Sequence, residues 1–191
     1  MILSNRFSEA LTYAAELHAT QGSKGSGVSY SAHLLGTASI ALEYGANEDE
    51  AISALLHSGD RRSRRPHHPL SPSAADAGDT VKWRDAETPW RQRKQAYIDR
   101  ISTASGSVRL VSAADKLYNV RSILKDSRQL GDFVWERFKG GALGSLWYYR
   151  SLVEAFRQAE STPIVEKLDR TVWEVEQFSE ARMRDAEGKN H

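Results

Sequence analysis

Three residues in this chain have the chemistry of a metal site: His33 in Ser-Tyr-Ser-Ala-His, His57 at the end of Ala-Leu-Leu-His, and Asp115 in Ala-Ala-Asp-Lys-Leu-Tyr-Asn. Each falls on a segment with helical spacing. Two imidazole nitrogens and one carboxylate oxygen, delivered by separate helices, can converge on one divalent ion and leave other positions open. The chain has no cysteine, which excludes thiolate ligation and a disulfide framework.

The elements that must position these groups read as helices throughout. A first helix is expected from about Asn5 to Thr20, with Phe7, Leu11, Ala14, Ala15, Leu17 and His18 at helical intervals. Gly22, Gly25 and Gly27 interrupt it and form a loop around Lys24. A second helix carries His33, Leu35, Ala38, Ile40 and Ala41 and ends at Gly45. Asn47 with Glu50 three residues on has the pattern of a helix start, and the helix it opens delivers His57 at its end. Further helices are expected at Trp90–Ile101, with a basic face, and at Val108–Leu124, which carries Asp115. A short helix is expected at Phe133–Phe138, and another at Leu143–Ala159. A last helix starts at Thr162-Pro163 and buries Val165, Leu168, Val172 and Val175. No segment has strand periodicity, so the fold class expected is all-α. The stretch 58–89 is different: Arg61, Arg62, Arg64, Arg65, Pro66, His67, His68, Pro69 and Pro72 crowd together without an apolar period, the composition of an irregular segment.

With 191 residues, the chain suits one substantial core better than two, so a single domain spanning 1–191 is expected. The net charge of +1 gives no whole-protein argument for nucleic acid or an anionic membrane. The arginines from Arg61 to Arg65 lack the interleaved aromatics of a nucleic-acid patch and read as a solvated basic loop. The opening Met-Ile-Leu-Ser-Asn-Arg is too short and polar for a secretory leader, and no apolar run approaches spanning length, so the expected location is the cytoplasm.

Taken in order, these pieces carry a resemblance. They are Ala-Ala-Glu-Leu-His to His18, Gln-x-x-Lys-Gly from Gln21 to Gly25, Val-Ser-Tyr-Ser-Ala-His to His33, and Ala-Ile-Ser-Ala-Leu-Leu-His to His57. Then come Val-Arg-Leu-Val-Ser-Ala-Ala-Asp-Lys-Leu-Tyr-Asn to Asn119 and Trp147 to Tyr149. Together they resemble the HD-domain phosphohydrolases of the RelA/SpoT type, in particular the small stand-alone hydrolases of guanosine tetraphosphate (ppGpp). The resemblance implies an all-α HD-domain helical bundle around a divalent ion, usually manganese. It implies metal ligation by His33, His57 and Asp115. It also implies a pyrophosphorylated guanine nucleotide as substrate or ligand, contacted by Lys24, Lys116 and Asn119, with Tyr118 packed beside it. It leaves a homo-oligomer open. His18 is expected near the site but off the metal.

The chain departs from that pattern after His57. The aspartate of the His-Asp pair is Ser58, and the Glu-Asp pair that follows reads Arg61 and Arg62. Arginine stays protonated and repels a cation, so it cannot replace an acid that supports water attack. The expectation is a hydrolase impaired at these positions, with no catalytic acid assigned. The alternative is a catalytically inactive relative that binds a nucleotide or a protein. Asp60 is a candidate substitute ligand, whereas His67 and His68 read as solvated. One hypothesis for the departure is a shifted reading frame: codons allowed for Gly59 to Arg65, read one base later, can spell Ala-Ile-Glu-Asp-Gln-Gly. Gene codons incapable of spelling Glu-Asp in another frame would remove it.

Overall fold

Helix α1, Asn5–Leu17, starts where the side chain of Ser4 accepts a hydrogen bond from the Arg6 amide, and it buries Ala10 and Ala14. The computed structural model describes residues 2–22, 27–57 and 89–188, with side chains described up to Arg182. The expectations for Lys24, for Ser58, Asp60, Arg61 and Arg62, and for residues 58–88 generally, lie outside the described residues.

Helix α2, Tyr30–Glu43, is capped by Ser29. It stops before Gly45, whose φ of +88° is a left-handed conformation that a Cβ would strain. Helix α3, Glu48–Leu56, opens on the capping box read from Asn47 and Glu50: the Glu50 amide donates to Asn47 Oδ1 at 2.9 Å and the Asn47 amide donates to Glu50 Oε2 at 2.7 Å. Glu48 at its first position accepts from the Ser4 amide at 2.5 Å and faces Arg6 at 3.7 Å, which ties the starts of α1 and α3 together. The Ser4 amide holds the Glu48 carboxyl below its ordinary value, with Arg6 adding to the effect.

Helices α4 (Trp90–Ile101), α5 (Gly106–Leu130), α6 (Gly141–Ala159) and α7 (Pro163–Gly188) follow, with a 3₁₀ segment at Gly131–Arg137 between α5 and α6. Helix α5 runs past the expected end at Leu124 to Leu130, with Ser127 buried and Asp126 paired with Arg137 at 2.7 Å in that extension. The expected short helix near Phe133 takes the tighter 3₁₀ form after Gly131, where φ is +61°. Helix α7 begins at Pro163 as read, and Val165, Leu168, Val172 and Val175 are all buried.

The fold is all-α, as expected; the described residues hold no strand, only an isolated antiparallel bridge between Gly22 and Ser29. The chain forms two compact units. The first contains α1, α2, α3 and α5 through Tyr118; Ala10, Leu34, Ala38, Ala41, Ile52, Leu55, Ala114 and Leu117 form its core. The second contains α4, α5 from Asn119, the 3₁₀ segment, α6 and α7, around Leu152, Val153, Phe156, Leu168 and Val172. Fully burying each such aliphatic or aromatic side chain contributes about 1.5–3 kcal/mol. In the second unit Arg150 on α6 donates to Asp169 and Glu176 on α7, so that its guanidinium is held more strongly protonated than usual, chiefly by Glu176. No helix among the described residues is long and apolar enough to cross a membrane.

Candidate metal centre

The first unit brings the three sequence-read ligands together. His33 lies in the first turn of α2, His57 follows the last turn of α3, and Asp115 lies mid-way along α5. His33 Nε2 is 3.2 Å from Asp115 Oδ1, His57 Nε2 is 3.4 Å from the same oxygen, and the two nitrogens are 3.4 Å apart. Two ligands at about 2.1 Å from one ion, subtending an octahedral or tetrahedral angle, stand about 3.0–3.4 Å apart. The triangle therefore has the dimensions of one face of a coordination shell. His33 and Asp115 are buried at 8% and 9% exposure, and His57 is half-buried, so the face is fixed by packing yet reachable.

The imidazole of His57 turns its Nε2 toward the other two groups. Its Nδ1 donates to the Ala54 carbonyl oxygen at 2.7 Å, which places the proton on Nδ1 and turns the Nε2 lone pair toward His33 and Asp115. His33 is held between aromatic rings, Tyr30 at 5.2 Å and Tyr118 at 5.0 Å. Tyr118 reaches it only because residue 36 is glycine: a Cβ there would lie 2.1 Å from the Tyr118 ring. A mid-helix glycine is costly in α2, and this close approach is its reason.

Burial alone would raise the Asp115 carboxyl. The Lys116 ammonium in contact with its Oδ2, with His33 adding to the effect, instead holds it well below the usual carboxylate range. The site thus presents an ionised oxygen at neutral pH. Lys116, read from the sequence as a nucleotide contact, places its ammonium on Asp115. Asn119 follows Asp115 by one turn of α5 and belongs to the second unit.

Two residues behind the ligands were not read as site elements. Tyr30 sits three residues before His33, a same-face helical spacing visible in the sequence. Gly36 gave no signal beyond being a glycine within a helical pattern. His18, expected near the metal but off it, is buried at 4% exposure, and its ring lies 5.0 Å from that of Tyr30.

No protein-family model and no curated protein sequence matches this chain. Solved structures do. One is described as a metazoan ortholog of SpoT that hydrolyses ppGpp and plays a role in starvation responses; it matches with a TM-score of 0.68 at 20% identity, over 90% of this chain and 96% of its own. Another, lmo0812 of Listeria monocytogenes EGD-e, matches with a TM-score of 0.64 at 23% identity, over 73% of this chain and 96% of its own. The chain has the all-α fold of an HD-domain ppGpp hydrolase.

Proposed function

We propose that this chain is a single HD-type domain acting as a metal-dependent nucleotide phosphohydrolase, directed at the 3′-pyrophosphate of a guanine nucleotide such as guanosine tetraphosphate and slow for want of its acidic residues. The observation that carries this reading is the triangle of His33 Nε2, His57 Nε2 and Asp115 Oδ1, with edges of 3.2–3.4 Å, on the fold of a ppGpp hydrolase. Manganese is the ion proposed, by the same family resemblance. Two neutral imidazoles and an ionised carboxylate suit a borderline-hard divalent ion.

His33, His57 and Asp115 would hold that ion, which when bound supplies Lewis-acid polarisation of a phosphoryl group and activates water for attack. The carboxylate provides the charge that draws the ion in; the Ala54 carbonyl fixes the tautomer that lets His57 ligate. Lys24, Lys116 and Asn119 are the proposed substrate contacts; in this reading the Lys116 ammonium, which contacts Asp115, would also meet phosphate oxygens. Ser58, Arg61 and Arg62 supply no acid or base for the proton transfers. Losing a positioned acid or base typically costs about 10²–10⁴-fold in rate.

The test is pyrophosphate release from guanosine tetraphosphate with added manganese. The native chain is compared with the combined variant Ser58→Asp, Arg61→Glu and Arg62→Asp. Slow release that rises by about 100-fold or more in the combined variant supports the proposal. Manganese bound without turnover in either protein supports the second reading, a relative that binds its nucleotide without hydrolysing it, which rests on the same three residues. Absence of both overturns the metal-site reading.

A further inference from the structure

A histidine that the proposed chemistry leaves unused stands behind the metal face. His18 ends α1. It is the residue just past the helix, and its backbone amide accepts the helical role by donating to the Ala14 carbonyl at 3.2 Å. Its side chain is buried at 4% exposure in the first unit. Buried imidazoles need partners for their ring nitrogens. Nδ1 finds one in Gln21 Oε1 at 2.9 Å, an acceptor, so the proton sits on Nδ1.

Gln21 is in turn engaged from both sides. Its amide donates to the His18 carbonyl at 3.0 Å, and its carbonyl accepts from the amide of Tyr30, the first residue of α2, at 2.8 Å. Next to it, Gly22 and Ser29 form the isolated antiparallel bridge. Ser29 then caps α2 through the amide of Ser31. The end of α1 and the start of α2 are therefore clasped at Gln21, and His18 is the side chain that holds Gln21 in place. The rings continue the connection: His18 lies 5.0 Å from Tyr30, and Tyr30 lies 5.2 Å from His33. His33 stands three residues beyond Tyr30, on the same face of the first turn of α2.

We infer that His18 is a positioning residue for the metal face: through its hydrogen bond to Gln21 and its ring contact with Tyr30, it sets the start of α2 and with it the direction of the His33 imidazole. A merely space-filling histidine would need the ring but not the Nδ1–H. The chain of contacts needs both. Because the ion is part of the function proposed above, the metal readout rests on that reading, whereas the orientation of His33 can be measured without an ion.

The experiment uses the full chain and three variants. His18→Phe keeps a ring and removes the donor. His18→Asn puts an amide N–H where Nδ1–H stood. Gln21→Leu leaves His18 intact and removes its acceptor, at a half-buried position. Manganese binding is followed by titration calorimetry, and the imidazole nitrogens of the metal-free proteins by long-range proton–nitrogen NMR. Outer partners of a metal ligand typically contribute about 10–100-fold in affinity, so His18→Phe and Gln21→Leu are expected to weaken manganese binding by that factor. His18→Asn is expected to recover it to within about threefold, since the donor is restored. In the metal-free proteins the His33 ring signals move in His18→Phe and Gln21→Leu and return in His18→Asn. Unchanged manganese affinity and unmoved His33 signals in both Gln21→Leu and His18→Phe, whatever the loss in Tm, would overturn the inference. If the native chain binds no manganese, the metal reading falls by itself and the His33 signals alone decide the role of His18.

Discussion

His57 donates its Nδ1–H to the carbonyl oxygen of Ala54 at 2.7 Å, three residues back in the last turn of α3. A carbonyl in the last turn of a helix thereby fixes the tautomer of a proposed metal ligand. His57→Gln keeps a polar side chain but loses this pairing of donor and ligand on one ring. Manganese affinity by calorimetry should fall by at least about 10-fold, the scale of losing an oriented ligand. An unchanged affinity would mean that His57 does not ligate.

Gly36 and Tyr118 give a test of packing at the same face. In Gly36→Ala the new methyl would stand 2.1 Å from the Tyr118 ring, so the ring must leave its place beside His33. Overpacking of this kind costs about 1–3 kcal/mol, which urea unfolding would detect. In the Tyr118→Ala background the same change should cost less than it does in the native chain, since the nearest atoms it meets all belong to the Tyr118 ring. A simple helix-propensity gain, with Ala more stable than Gly, would contradict the packing account.

In the proposed metal site Lys116 would compete with a divalent ion for Asp115, because its ammonium contacts Oδ2. Lys116→Met removes that competitor while keeping the aliphatic stem. Manganese binding should tighten by about fivefold, a modest Coulomb effect at a partly solvated site. Nucleotide affinity should move the opposite way if Lys116 also meets phosphate. Weaker manganese binding in this variant would contradict the competition.

The Asp115 carboxyl contributes to the acid limb of stability. Its folded value is depressed, so its contribution is fully present above the unfolded carboxylate value of about 3.9 and is lost as pH falls through the lower folded value. In metal-free protein, the stability difference between native and Asp115→Asn should shrink as pH falls below about 4. Urea midpoints across that range measure it. A difference that grew as pH fell would reverse the sign and place the carboxyl above its ordinary value.

Much of this was legible before the structure, for identifiable reasons. The capping box at Asn47 and Glu50 and the Thr162-Pro163 start are local devices whose chemistry depends on neighbours in sequence, and both stand as read. The convergence of His33, His57 and Asp115 could be anticipated because their residue types are scarce and each sits in a recognisable string. The partners behind the ligands were less so. Gly36 matters for what another helix brings against it, and Lys116 turned to its neighbour Asp115, both through tertiary packing that helical spacing does not encode. The helix expected near Phe133 is a 3₁₀ segment that opens at Gly131, where φ is +61°, and whose last residue Arg137 pairs with Asp126 on α5 at 2.7 Å, a tertiary contact that helical spacing does not encode.

The central claim is that His33, His57 and Asp115 form a divalent-metal centre. The measurement that tests it most directly is a manganese binding isotherm on the purified, metal-stripped chain beside Asp115→Asn, which keeps the side-chain shape and removes the charge. A single ion bound per native chain, and none held by Asp115→Asn over the same range, is the result expected. No binding by the native chain, or equal binding by the two proteins, would contradict it.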